Sequence, residues 1–178
     1  MNSHDRHVPH LGPDAVDRIV EGWVRQVPDF DSGPLQVFGR LNRVARLLDN
    51  NLRSFFQAHG LGIGDYDLMA ALFRIGHPYM ARPSSIARTS LLTSAGVTLR
   101  VDRMVKMGMV KRVNDLDDRR SVYVQLTDEG ADVVSRVALL NRERQRRMLN
   151  SLTAEESAIL ESVFRKLEQS LVIPGWPD

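Results

Sequence analysis

The sequence predicts a mostly α-helical fold with one small β-wing, and three observations point to it. Apolar residues recur at helical spacing near both ends of the 178-residue chain. Between Pro83 and Gly130, two short helical patterns precede two strand-like patterns joined by a charged turn. This middle region is also basic. Its layout is that of a winged helix-turn-helix, a scaffold that places one helix in the major groove of DNA.

Residues 1–75 are predicted to form a tail and three helices. We expect residues 1–13 to form a disordered tail. Asp14 is a suitable N-cap because its side chain can accept hydrogen bonds from the first free N–H groups of a helix. Apolar spacing and glycine or proline stops then predict helices at about residues 14–27, 35–59 and 65–75, with a linker at 28–34.

The middle of the chain predicts the helix pair and the wing. Pro83 opens a short helix, and a longer one is predicted from Ser94 to Met107. At about 100° per residue, the longer helix buries one stripe, formed by Val97, Val101, Met104 and Val105. After this helix, strands are predicted at 110–113 and 121–126, with a turn at 114–118 between them.

Two more helices complete the chain. Thr127 caps one of them, and Thr153 with Glu156 forms a capping box that opens the last. We expect one domain over 14–178, with a winged lobe at 61–126 and mainly dimerisation helices at 14–60 and 127–178.

Long apolar stripes on the terminal helices favour a homodimer. They exceed what one small domain needs to cover its own core, and packing two copies together would hide them. The alternative is a monomer in which both terminal helices fold back on their own core.

Composition excludes several classes of protein. The chain contains no cysteine, which excludes a disulfide framework, a thiolate zinc site and a thiol-based peroxide sensor. Its five histidines show no paired metal spacing outside the first residues, so we expect no metal or other cofactor. Phosphate loops, dinucleotide fingerprints and nucleophile elbows are absent from the sequence, which argues against an enzyme. Without a signal region or membrane span, a cytoplasmic location is expected.

The charge distribution indicates a nucleic-acid partner. Residues 82–120 hold nine bases and four acids, a balance of +5 in a chain whose net charge is +2. The rest of the chain therefore carries −3, and a basic patch on an acidic body is typical of a DNA-binding protein. A solvated helix face is the alternative interpretation.

Individual DNA contacts follow from residue chemistry. Small and hydroxylated residues at the start of the predicted reading helix allow close approach to base edges and phosphates, namely Thr93, Ser94, Ala95 and Thr98. Arg103 and Lys106 supply charge, while exposed Leu99 suits a thymine methyl group. At the wing tip, Arg119 and Arg120 suit phosphates or a narrow minor groove, and Asp118 orients one of them. An ordinary amphipathic helix and a hairpin with a surface ion pair remain the alternatives.

Two stretches carry a family resemblance. DLDDRRSVYVQLTDEG at 115–130 resembles the wing signature of the MarR family of bacterial transcriptional regulators, and LLTSAGVTLRVDRMVKMGMVKR at 91–112 resembles its recognition helix. The resemblance implies a winged-helix homodimer that binds a double-stranded inverted-repeat operator, commonly as a repressor. It also implies release by a small anionic, often aromatic, effector. A protein-interaction module without an effector is the alternative.

Four residues form a candidate ligand site. Trp23, Asp67, Arg100 and Arg112 together suit a planar anionic ligand, since arginines pair its charge and an indole stacks on its ring. The same set resembles the pocket of a MarR subgroup that responds to urate. Leu99 departs from that subgroup, in which asparagine is frequent, and this bears on the operator sequence. Alternatively, Trp23 is core and Asp67 pairs with Arg100 structurally.

Overall fold

The computed structural model describes residues 12–90, 92–114 and 122–171. The chain divides into two compact units, Met1–Gln57 and Ala58–Asp178. None of the helices in these described ranges is long and apolar enough to cross a membrane.

The first unit contains two helices, α1 (Ala15–Gln26) and α2 (Gly33–Gln57). Both were predicted, but α2 starts two residues before the expected Leu35. Pro34 lies in its first turn, where a helix needs no N–H donor, so this proline belongs to the helix and not to the linker.

Carboxylates and an arginine hold the start of α1 beside α2. The Asp14 side chain accepts the N–H groups of Val16 at 2.6 Å and Asp17 at 3.0 Å, which confirms the predicted cap. In a reciprocal hydrogen bond, the Asp17 side chain accepts the N–H of Asp14 at 2.7 Å. From α2, Arg40 donates to Asp14 at 3.0 Å and to Asp17 at 2.5 Å. These bonds fix the pairing of the two helices.

The second unit is a helical lobe with a small sheet, followed by two longer helices. In chain order its elements are α3 (Ile63–Ile75), β1 (Met80–Ala81), α4 (Pro83–Thr89), α5 (Ser94–Lys106), β2 (Val110–Asn114), β3 (Val122–Leu126), α6 (Asp128–Met148), a 3-10 turn (Leu149–Ser151) and α7 (Ala154–Leu171). The predicted helix pair, strands and closing helices are therefore confirmed.

The antiparallel sheet has the strand order β1-β3-β2. In the β2–β3 hairpin, Val110 pairs with Leu126 and Asn114 with Val122. The sequence did not predict β1, because two residues between prolines show no alternation. Its pairing of Met80 with Gln125 attaches the segment before α4 to the wing.

One core joins the helices of the lobe to its sheet. Its fully buried side chains come from α3, α4, α5, β2, β3 and α6, and include Leu68, Leu72, Ile86, Met104, Val110, Val124, Val134 and Val137. This core carries α5 on the surface of the lobe, with one face turned outward.

Thr127 ties the wing to α6. Its hydroxyl accepts the N–H of Gly130 at 3.0 Å and donates to the carbonyl of Gly108 at 2.7 Å. The predicted cap is thus confirmed, and the same residue fastens the end of α5 to the start of α6. At the far end, the Thr153–Glu156 capping box is also present.

Candidate nucleic-acid interface

Helix α5 presents two different faces. Thr93 caps it by accepting the N–H of Gly96 at 3.1 Å. On the inner face, Val97, Val101 and Met104 are buried as predicted, whereas Val105 is only half-buried. The helix is therefore held by three core side chains, while most of its other side chains are exposed or half-buried.

The outer face of α5 matches the predicted reading surface in exposure. Thr93, Ala95, Thr98, Arg103 and Lys106 are exposed, and Leu99 has 65% of its surface accessible. The side chain of Ser94 lies outside the described residues. A large aliphatic group this exposed on a solvated helix suits an apolar contact such as a thymine methyl.

Both arginines on one side of α5 meet a buried carboxylate. Asp65, in the first turn of α3, has no accessible surface. Its Oδ2 lies 3.0 Å from Nη1 of Arg103, and its Oδ1 lies 3.6 Å from Nη1 of Arg100. Reasoning from the sequence expected a helix start near Asp65 but gave this residue no role. The signal was the Gly-x-x-Asp spacing from Gly62, which is that of a capping residue.

Asp67, the predicted ligand carboxylate, is half-buried two residues further along α3. Its neighbour Tyr66 links this helix to α6. Burial raises the pKa of the Tyr66 hydroxyl above its usual value of 10.0, and the charge of Arg74, followed by a hydrogen bond with Asn141, partly offsets that rise. Arg144 donates to the Asn141 side chain at 3.0 Å. The helix that bears Asp65 and Asp67 is therefore fixed against α6.

Arg112, the second predicted ligand arginine, lies on β2 at the base of the wing. It forms an ion pair and hydrogen bond with Asp102 of α5, and both side chains are about half exposed. Each of the two predicted ligand arginines in this unit therefore faces a carboxylate, Asp65 for Arg100 and Asp102 for Arg112. An anion that binds either guanidinium has an internal carboxylate to displace.

Trp23 belongs to the first unit and is not a core residue. Its side chain is 49% exposed. One face of its ring stacks on Phe30, with centroids 5.1 Å apart and planes 15° from parallel. An indole that is half exposed and supported on one face is available for a further aromatic contact.

The tip of the wing lies outside the described residues, and with it the predicted contacts Asp118, Arg119 and Arg120. At the base of the wing, Arg82 lies over the ring of Tyr123 at 5.3 Å and its Nε donates to the hydroxyl at 3.3 Å. This adds a positioned cation near the start of α4 that the sequence alone did not single out.

The described residues bring together no group of three or more His, Cys, Asp or Glu side chains with the spacing of a metal site. The exposed face of α5 offers cations, hydroxyls and an apolar side chain. This set suits a polyanion with readable base edges.

The chain is similar in sequence to known transcriptional regulators. Residues 68–122 match the MarR family. The chain is 36% identical to the HTH-type transcriptional regulator PecS of Dickeya dadantii (strain 3937) over 157 residues, 88% of this chain and 95% of PecS. PecS is a transcriptional regulator and not an enzyme, so the expectation that this chain is no enzyme is confirmed.

Two solved structures share the fold. A mutant MarR from E. coli complexed with operator DNA has a TM-score of 0.63 and 21% identity, over 82% of this chain and 96% of that one. The organohalide-sensing regulator RdhR-CbdbA1625, in its 2,4-dichlorophenol-bound form, has a TM-score of 0.70 and 19% identity, over 92% and 89%. The winged helix-turn-helix predicted from the sequence is confirmed.

Proposed function

The chain belongs to the MarR family of DNA-binding transcriptional regulators, and on this premise we propose that it is a homodimeric repressor. It binds an inverted-repeat operator through α5 and the wing, and a small anionic ligand releases it. The observation that carries the proposal is the division of α5 into a face held by the core and an exposed face of hydroxyl, aliphatic and cationic side chains.

DNA contacts are assigned by the chemistry of that exposed face. Thr93, Ser94, Ala95 and Thr98 approach the backbone and base edges, while Leu99 packs on a thymine methyl. Arg103, Lys106, Arg119 and Arg120 contact phosphates or the minor groove, and Asp118 supports the wing. The operator complex of the E. coli relative supports DNA as the partner of this surface.

A second copy of the chain is the partner proposed for the terminal helices. Helix α7 has 18 residues and none of them is buried. Its exposed apolar residues fall on one face and include Leu160, Val163 and Phe164. A helix of this length is only marginally stable by itself, and in a protein most of its stability comes from packing of its apolar face. Two such stripes related by a two-fold axis would bury each other and set two recognition helices about one DNA turn apart.

The effector site is assigned to Trp23, Asp67, Arg100 and Arg112. The arginines pair with the negative charge of the ligand, the indole stacks on its ring, and the carboxylate orients a ligand N–H or an arginine. The ligand is a planar anion such as urate or another aromatic or carboxylate metabolite. The phenolic ligand bound to RdhR-CbdbA1625 supports an aromatic effector class.

The proposed release from DNA depends on the ion pairs that the two ligand arginines make with Asp65 and Asp102. Arg100 and Asp102 both lie on α5, so a ligand that takes Arg100 or Arg112 weakens the contact of α5 with α3 or with β2. The ligand needs only to favour the state that does not bind DNA. A tenfold preference at each site is about 1.4 kcal/mol, and it acts twice in a dimer.

The test is a titration of DNA from the protein's own upstream intergenic region, with and without urate. We expect nanomolar binding that urate weakens. In Arg100→Ala and Arg112→Ala, operator binding should stay within a few-fold of wild type while the urate midpoint rises about tenfold, equivalent to about 1.4 kcal/mol. Arg136→Ala removes an exposed arginine of α6 and is the charge control.

The outcomes separate the two parts of the proposal. Tight operator binding that urate and related purines and phenols leave unchanged would contradict the effector site but keep the regulator. An equal loss of urate response in Arg136→Ala would attribute the effect to net charge. No preference for any genomic fragment in a selection at moderate salt would contradict the regulator itself.

A further inference from the structure

We propose that Asp65 is a positioning residue for operator recognition, because its buried carboxylate holds the Arg103 guanidinium in a fixed orientation on α5. The inference rests on the proposed role of α5 in contacting DNA. It assigns a function to a residue that lies on a different helix and has no accessible surface of its own.

The carboxylate and Arg103 are joined at hydrogen-bond distance. Oδ2 of Asp65 accepts the N–H of Gly62 at 2.7 Å and lies 3.0 Å from Nη1 of Arg103. The Arg103 side chain nevertheless remains 48% exposed. One nitrogen of the guanidinium thus contacts the buried carboxylate, while about half of the side-chain surface stays accessible.

Arg100 has a looser relation to the same carboxylate. Its Nη1 lies 3.6 Å from Oδ1 of Asp65, and Oδ1 is a buried oxygen with no hydrogen-bond partner among the residues that the structure describes. A buried charge needs close partners, and of the two arginines Arg103 is the nearer to this carboxylate. Arg103 therefore makes the closer of the two ion pairs with Asp65, and Arg100 makes the longer one that a ligand anion would displace.

The start of α3 is shaped for this arrangement. A β-carbon at Gly64 would lie 2.9 Å from Nε of Arg100 and 3.1 Å from Cδ2 of Leu92. Glycine at this position leaves the space that the Arg100 side chain occupies. Because Arg100 and Arg103 are three residues apart, they lie on the same side of α5 and reach one carboxylate.

A held arginine improves specificity more than it improves overall affinity. An arginine that is already oriented loses less side-chain freedom when it contacts a fixed group on DNA. The negative charge of Asp65, in contrast, opposes the binding of phosphates on DNA of any sequence. Removing the charge should therefore lower the preference for the operator without weakening the binding of unrelated DNA.

The experiment compares Asp65→Asn with wild type on the operator fragment and on a scrambled duplex, across a range of salt concentrations. The amide can still cap Gly62 but carries no charge. We expect the ratio of operator affinity to scrambled-duplex affinity to fall about tenfold. The affinity for the scrambled duplex should be unchanged or higher, and the slope of its logarithm against the logarithm of salt concentration should steepen by the equivalent of up to about one phosphate contact. Asp132→Asn, which makes the same charge change at an exposed position of α6, should keep the wild-type ratio.

A ratio within twofold of wild type would overturn the proposal, as would parallel losses on both duplexes, which a merely structural role predicts. If Asp65→Asn does not melt cooperatively, Arg103→Lys decides. It keeps the charge but loses the planar fork, so the ratio should fall about fivefold, and an unchanged ratio overturns the proposal. A wild-type protein without operator preference would instead contradict the proposed function.

Discussion

Helices α3 and α7 belong to the same unit, and they differ in what covers them. Helix α3 buries six of its 13 residues, including Asp65 and Leu68. Helix α7 buries none of its 18, although it is properly capped and has an apolar face. An apolar stripe therefore predicts that other residues cover that face of the helix. It does not tell whether those residues come from the same chain or from a second copy.

Helix α1 resembles α7 in this respect. Only Val16 is buried, while Ile19, Trp23 and Val24 are exposed. The described part of the winged lobe thus buries its core within one chain, whereas the terminal helices present apolar surface that a second copy would bury. Changes in the lobe should therefore affect folding, and changes on the terminal helices should affect assembly.

The largest effect is expected at Gly130, in the first turn of α6. A β-carbon there would lie 2.0 Å from the carbonyl oxygen of Met109, which also accepts the N–H of Thr127 at 3.1 Å. Because the obstructing atom is backbone, Gly130→Ala must move β2 or α6. We expect the free energy of unfolding to fall by about 3 kcal/mol in denaturant titrations.

The matched control is Gly22→Ala on α1, where nothing lies within 4 Å of the added carbon. Replacing an uncrowded helix glycine by alanine should stabilise the protein by about 0.5–1 kcal/mol. Equal effects of the two substitutions would contradict the contrast between lobe and terminal helix.

The next largest effect is expected on assembly. Phe164→Glu places a charge on the apolar face of α7, whose residues are exposed in the single chain. We expect the dimer dissociation constant in sedimentation equilibrium to rise at least about 100-fold, or about 2.7 kcal/mol, because the interface cannot bury an unpaired charge. The near-ultraviolet circular dichroism of the lobe should not change.

Ser162→Glu adds the same charge on the opposite, exposed face of α7 and should leave the dimer intact. A monomeric wild-type protein would contradict the dimer. It would favour the alternative, in which the terminal helices pack on the core of their own chain.

Most of the fold was predictable because its signals are local. The capping residues Asp14, Thr127 and Thr153 each act within three or four residues, and the caps expected there are present. Periodicity likewise predicted α5 and its buried stripe at Val97, Val101 and Met104. Such patterns depend on near neighbours in the sequence and need no knowledge of the remainder of the chain.

The candidate site was less predictable because its pairings are long-range or cross between elements. Asp65 meets Arg103 across 38 positions of the sequence, and nothing near it distinguishes a buried ion-pair partner from an ordinary helix cap. The pairing of Asp102 with Arg112 joins a helix to a strand and follows no helical spacing. The DNA contacts and the ligand set at Trp23, Asp67, Arg100 and Arg112 stay predictions.

The smallest effect is expected at the start of α1, where it concerns pH. The N–H of Asp17 is the largest effect on the pKa of the Asp14 carboxyl. Desolvation opposes it, but the N–H of Val16 and the Arg40 guanidinium help to hold this pKa below its ordinary value of 3.8. Because the pKa is lowered in the folded state, the ionised carboxylate stabilises α1 above about pH 3.8. That stability is lost as the pH falls through the folded-state value.

Asp14→Asn keeps a capping side chain but cannot ionise. The stability advantage of wild type over this variant should be constant from pH 7 to pH 5 and should shrink steadily below pH 4, as measured by thermal melts followed at 222 nm. An advantage that persists unchanged to pH 2 would mean that the cap acts without its charge. It would also mean that the charge of Asp14 adds nothing to its contact with Arg40, which would leave the Arg40–Asp17 ion pair as the charged link between α1 and α2.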